Sequence, residues 1–281
     1  MSASAPVSAP PPIPPASAAP RAGSPLAGFF IDLGIAIVTL FSLSLITGLF
    51  WGFYRAIVVG RANAAAQGGG LSPDAISAAV GQPGALAQIL MALIATGGAS
   101  LVVYFWRRPA TTDERSTSRQ ALRRPSTWGW TVLVAALIVI GSNGIAFLAR
   151  QFGIEPVPTN VELMQNAIAR FPLFLVLFAV VLAPAYEELL FRRVLFGRLW
   201  KAGRPWLGII LSSLAFALVH EVPGLSKNSL LGMLQLWLVY GGMGAAFCWL
   251  YQRTGTLWAA ITAHALNNAV ALAAMVFLGS T

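Results

Sequence analysis

Seven long apolar stretches separated by short polar connections run through the chain: Leu26 to Phe53, Ala85 to Trp106, Trp128 to Ala149, Phe171 to Phe191, Trp206 to Val222, Ser229 to Leu250 and Thr256 to Leu278. A bilayer-spanning helix needs about 20 apolar residues, so the pattern predicts an all-α, polytopic transmembrane helical bundle of about seven spans. The fourth helix is expected to run on to about Trp200, because VLFGRLW keeps its apolar positions without a strong breaker, and to turn at KAGRP, Lys201 to Pro205. Between the first two stretches, Ala62 to Gly84 carries GGG and PGA and reads as a flexible loop or a short surface helix. Trp51, Trp106, Trp128, Trp200, Trp206 and Trp258 fall near expected span ends, as interfacial aromatic belts do. The first 25 residues are mostly Ala, Ser and Pro, with no apolar core for a signal peptide, and read as a disordered tail. Residues 26–150 then form N-terminal transmembrane helices, and residues 151–281 a second transmembrane unit.

Composition strengthens this picture. The chain is 57% hydrophobic and 10% charged, with a mean hydropathy of +0.73, against about a quarter charged residues in soluble domains. The net charge of +9 does not point to nucleic acid, because the basic residues sit in the short connections, where topology determinants belong. The tail and the connections after the second, fourth and sixth stretches hold 13 of the 18 Lys and Arg. By the positive-inside rule the N-terminus is cytoplasmic, the C-terminus of a seven-span chain is outside, and the lipid bilayer of the cell membrane is the first partner. Cys248 stands alone, so no intrachain disulfide forms, and a thiol in an apolar span reads as core packing. No internal repeat is visible, which argues against a transporter of inverted halves.

The candidate chemistry lies in the last four stretches. Glu187 and Glu188 stand side by side in AYEELLFRR, and both histidines of the chain, His220 and His264, fall in other apolar segments. An ionisable group in a membrane helix costs about 2.5 to 3.5 kcal/mol on insertion scales and is a functional-site candidate by default. The turn at 201–205 makes an antiparallel hairpin whose midpoint places Glu187 and His220 at similar depth, each ~25 Å from the turn. His264 comes out shallower by ~9 Å, a mismatch that tilt or a re-entrant start absorbs. Adjacent helical residues differ by about 100° in direction, so the two glutamates need different jobs. Glu188 precedes Arg192 by four residues, the favourable order for an ion pair, which leaves Glu187 as the freer carboxylate and a general-base candidate. Phe216 lies one turn before His220 and is expected beneath its ring. His264 and Asn268 share a helical face and can each donate toward an oxyanion, or can form an interhelical polar clamp; Asn267 is displaced from that face. His220-Glu221 begins like HExxH but lacks the second His, GxSxG is missing from the spans, and GMGAA after Gly241 is a small-residue packing face. Asp32 in the first stretch is another intramembrane acid whose partner the sequence does not name; pairing with an Arg and marking water access are the two readings.

EELLFR at 187–192, FALVH at 216–220 and HALNN at 264–268 resemble, in order and spacing, the EExxxR, FxxxH and HxxxN motifs of the CPBP family, the type II CAAX prenyl endopeptidases and bacteriocin-processing enzymes also called Abi. The resemblance covers about Phe171 to Val276 and makes residues 151–281 a CPBP-like core. It implies an intramembrane endopeptidase acting on a membrane-associated protein or peptide, with Glu187 activating the attacking water and Arg192 orienting the Glu187–Glu188 pair. His220 then holds and polarises the water, while His264 and Asn268 stabilise the oxyanion. The family is labelled metalloprotease, and Glu187, His220 and His264 are the zinc candidates; Glu and His can equally activate water unaided. A non-proteolytic scaffold or immunity protein, or a proton-coupled transporter, is the alternative from another class.

Overall fold

The computed structural model describes residues 23–67 and 72–279, so the expected tail lies, up to residue 22, outside the described residues. The described residues form helices and their connections, with no strand. Helix α1 is Pro25–Gln67, α2 Pro73–Val80, α3 Ala85–Arg107, α4 Thr112–Leu122 and α5 Pro125–Arg150. Then come α6 Val161–Arg170, α7 Pro172–Lys201, α8 Pro205–His220, α9 Leu230–Thr254 and α10 Leu257–Leu278. Proline opens α1, α2, α5, α7 and α8, where its missing N–H costs nothing and its fixed φ suits the first turn. Gly203 at φ 75° and Gly255 at φ 74° supply the left-handed residues that end α7 and α9.

Six helices are long and apolar enough to cross a membrane: α1, α3, α5, α7, α9 and α10. The fifth expected span, α8, stops at His220 after 16 residues, ~24 Å of rise against a hydrocarbon core of about 30 Å. Helix α1 outruns its expected end at Phe53 and reaches Gln67, absorbing the start of the segment read as a loop, and α2 is the short helix within the remainder. Exposed apolar side chains such as Phe41, Phe50 and Phe53 on α1 suit a lipid-facing surface.

Helix α7 is the hub of the bundle. Its Phe191, Val194, Leu195 and Leu199 pack with Phe29 and Ala36 of α1, Val103 of α3 and Phe216 of α8. Its earlier half, Leu175 to Ala183, packs with Ile89, Ala167 and Leu272, while Phe196 joins a third cluster built by α5, α9 and α10. The expected continuity of α7 past Arg192 holds, with one feature the pattern did not give. Two π turns, Leu177–Leu182 and Leu189–Phe196, bracket the regular stretch Ala183–Glu188 that carries both glutamates. Proline explains the first: Pro184 has no N–H and its ring crowds the preceding turn, and widening that turn relieves the clash.

Asp32, for which an Arg partner was one of two expectations, is fully buried between two guanidinium groups, Arg107 at 2.9 Å and Arg198 at 2.6 Å. Glycine at 28 makes room, since a Cβ there would lie 2.6 Å from Arg198 Nη1. Glu114, reciprocally capped with Thr111 at the start of α4, binds Arg193 at 2.5 Å and also Lys201. These bonds tie α1, α3, α4 and α7 together at one end of the bundle. Burial, with Arg198 and Arg193 nearby, lowers the Arg108 guanidinium below its ordinary value.

Candidate active site

The depth match read from the α7–α8 hairpin is present: Glu187 Oε2 lies 3.8 Å from His220 Nε2. His264 Nε2 is also 3.8 Å from Glu187 Oε2, so the expected ~9 Å offset of α10 is taken up by packing. Three helices therefore bring one carboxylate oxygen against two imidazole nitrogens. Glu187 and His220 keep 19% and 20% of their side-chain surface exposed, enough for water to reach them.

Each imidazole is held at its other nitrogen. His220 Nδ1 is 2.8 Å from the Phe216 main-chain oxygen, which can only accept, so Nδ1 carries the proton. The Phe216 ring packs against the imidazole at 4.3 Å between centroids, as the four-residue spacing predicted, and the Tyr240 ring of α9 also packs against it at 4.6 Å. His264 Nδ1 is 2.8 Å from Glu188 Oε1, and the Phe247 ring stacks on it at 5.0 Å and 20°. In neutral rings fixed this way, both Nε2 lone pairs face Glu187.

The second glutamate does more than the sequence suggested. Glu188 is fully buried and pairs through Oε2 with Arg192 Nε at 3.0 Å, the expected i,i+4 pair, and through Oε1 it also holds His264. Arg192 is itself fully buried; among the described residues its Nη atoms meet no acceptor, and its Cζ sits 4.3 Å from the Phe216 ring centroid and 5.1 Å from that of Phe247. A cation on aromatic faces gains electrostatic attraction where hydrogen bonds are missing. Phe216 thus packs against both His220 and Arg192.

Asn268 donates through Nδ2 to the Ala179 main-chain oxygen at 2.9 Å, and Asn267 Nδ2 is 3.5 Å from Asn268 Oδ1. The polar clamp between α10 and α7 is therefore formed, and one Asn268 amide hydrogen remains for another acceptor. Cys248 is buried in the core. Gly244 in GMGAA lies against α8, where a Cβ would be 3.0 Å from Ser213 Cα.

Sequence reasoning met Glu221 only in an incomplete HExxH and gave it no role. This residue is fully buried directly after His220 and accepts hydrogen bonds from Thr159, Ser226 and Asn228. Burial pushes its carboxyl up, but those bonds outweigh burial and hold it below the ordinary glutamate value. The only signal was the acid itself at a helix end.

Zinc was tested against this donor set. A Glu with two His is a known catalytic combination, but tetrahedral zinc with bonds of about 2.1 Å keeps its donors about 3.4 Å apart. Glu187 Oε2 is 3.8 Å from each nitrogen, and no group of three His, Cys, Asp or Glu among the described residues is arranged to hold a metal. As placed, Glu187 Oε2 stands wider from each imidazole nitrogen than zinc would hold it.

Residues 169–270 match the family model described as type II CAAX prenyl endopeptidase Rce1-like. YdiL of Bacillus subtilis (strain 168), named as a membrane peptidase, is 29% identical over 161 residues, 55% of this chain and 61% of its own. The membrane-embedded CAAX protease MroQ of Staphylococcus aureus (strain USA300) is 31% identical over 150 residues, 50% of this chain and 54% of its own. The chain thus spans little more than half the length of these relatives. No solved structure matches. The matched region begins just before α7 and ends within α10, enclosing all three motifs, so the similarity to the CPBP family, that of the type II CAAX prenyl endopeptidases, lies where the motif residues are.

Proposed function

We propose that this protein is an intramembrane endopeptidase that hydrolyses a peptide bond of a membrane-associated protein or peptide with a water activated by Glu187. The observation that carries the reading is the convergence of Glu187 Oε2 with His220 Nε2 and His264 Nε2, each at 3.8 Å, inside an apolar helical bundle. A water between these atoms gives one proton to Glu187 while His220 accepts a hydrogen bond and orients it. The water oxygen bonds to the carbonyl carbon, and the carbonyl oxygen becomes the oxyanion. His264, with Nδ1–H held by Glu188, enters the step already protonated on Nε2, donates to that oxyanion beside the spare Asn268 hydrogen and keeps this proton throughout. Glu187 then passes its proton to the amide nitrogen, the C–N bond breaks, and acid and amine leave with atoms and charge balanced. Arg192 holds Glu188 in place through their 3.0 Å pair. The chain inserts in the cell membrane with its N-terminus cytoplasmic, as the Lys and Arg asymmetry favours.

Comparing new N- and C-termini of membrane proteins in cells carrying wild type or Glu187→Gln tests this reading. Termini that vanish with Glu187→Gln are the expected result. Identical termini in both cell lines, with both proteins present at equal levels, would overturn it.

A further inference from the structure

His220 occupies an exposed mechanical position: it is the last residue of α8. Helix ends leave carbonyls without intrahelical donors and fray, so a side chain there does not keep its orientation unless the next residues are anchored. Residue 221 is anchored on both its main chain and its side chain. Its main-chain N–H closes on Ala217 at 3.2 Å, and its carbonyl accepts from Trp237 Nε1 of α9 at 2.8 Å. Its carboxylate accepts from Thr159 Oγ1 at 2.9 Å, from Asn228 Nδ2 at 2.8 Å and from Ser226. Asn228 in turn is bound to the Val157 main chain on both sides, at 3.0 and 2.9 Å. The connection before α6, the loop 221–229 and α9 thus meet on one buried acid.

Helix α9 touches both members of the His-Glu pair. Trp237 and Tyr240, three residues apart and so on one face, bind the Glu221 carbonyl and cover the His220 ring respectively. From this arrangement we infer that Glu221 is a positioning residue for His220: its buried carboxylate locks the end of α8, and with it the imidazole, onto the connection before α6 and the loop 221–229, beside the main-chain bond to α9. The inference rests on the peptidase reading for its consequence in catalysis, but the positioning itself is measurable without turnover. Reacting groups displaced by about 1 Å lose about 10²-fold in rate. A loosened His220 orients the attacking water and does little to hold the substrate chain, so the loss falls on kcat.

The test uses the full-length chain in nanodiscs, labelled with ¹⁵N-histidine. With two histidines in the chain, His264→Gln assigns the spectrum. In wild type the His220 signals should report one tautomer, protonated at Nδ1. Glu221→Ala should mix the tautomers and broaden His220 while His264 stays unchanged, and should lower kcat about 10²-fold with KM within a few-fold. Glu221→Gln, which keeps the shape and one acceptor oxygen, should restore part of both readouts. A purely structural acid would lower Tm and leave both histidine spectra and kcat of the folded fraction as in wild type, and that result overturns the inference. If Glu221→Ala does not fold, Thr159→Val and Trp237→Phe each remove one donor; an unchanged His220 signal in both overturns it equally. Should wild type cleave nothing while His220 still responds to Glu221, the peptidase reading fails and the positioning stands.

Discussion

Asn268 takes a carbonyl that Pro184 leaves unpaired. In the π turn of α7 the Ala183 N–H closes on Phe178, five residues back, so the next acceptor in that register, Ala179, faces Pro184, which has no N–H. The Asn268 amide fills the gap from α10 at 2.9 Å. Orphaned buried carbonyls are costly, and this one sits two turns before Glu187.

The clamp and the oxyanion role of Asn268 can be separated. Asn268→Ala should cost about 1 to 3 kcal/mol of stability for the unsatisfied carbonyl, read as thermal unfolding. In a Pro184→Ala background, where residue 184 regains its N–H, the same substitution should cost less. If Asn268 also serves the oxyanion, kcat should fall about 10²- to 10³-fold in both backgrounds. A stability loss with wild-type kcat would leave the clamp as its whole role.

The two glutamates should fail differently. Glu187→Gln should abolish cleavage with an unchanged melting temperature, since Glu187 is partly exposed and unpaired by Arg192. Glu188→Gln strands a fully buried Arg192 and frees His264, and should cost about 3 to 5 kcal/mol together with activity. Equal, mild losses would contradict the division of roles.

Asp32→Asn offers a contrast. It unpairs Arg107 and Arg198, and should destabilise by about 3 to 5 kcal/mol. Arg198 lies eleven residues beyond Glu187, ~16 Å along α7, so kcat of the folded fraction should stay at wild type. Unfolding curves and active-fraction kinetics check both halves.

Dialysis against a strong chelator followed by elemental analysis addresses the metal. Given the wide Glu187 to His spacing, cleavage should persist with far less than one zinc per chain. Loss of activity restored by zinc alone would recast Glu187 as a ligand.

Much of this site was readable because it is local. Glu188 with Arg192, and Phe216 beneath His220, are four-residue spacings on one helix, and helical period alone places them. The meeting of Glu188 with His264, and of Asp32 with Arg107 and Arg198, depends on how separate helices are rotated against one another, and short-range spacing carries no such information. The π turns of α7 alter that rotation further. Glu221 was given no role because its partners lie in connections, where no periodicity marks a buried acid. The spans themselves were legible from apolar length, except that α8 ends at the histidine, short of a full crossing.

The π turns carry a consequence for how α7 tolerates insertions and deletions. A π turn holds one residue more than the α turn it replaces, so a single deletion within Leu177–Leu182 or Leu189–Phe196 can be absorbed by local reversion to α geometry. The flanking segments then keep their facing directions. The same deletion inside Ala183–Glu188 has no slack to draw on and would swing one end of the site by about 100° relative to the other. Single-residue deletions in α7 should therefore be accepted best within Leu189–Phe196, less well within Leu177–Leu182, where reversion restores the Pro184 clash, and rejected within Ala183–Glu188.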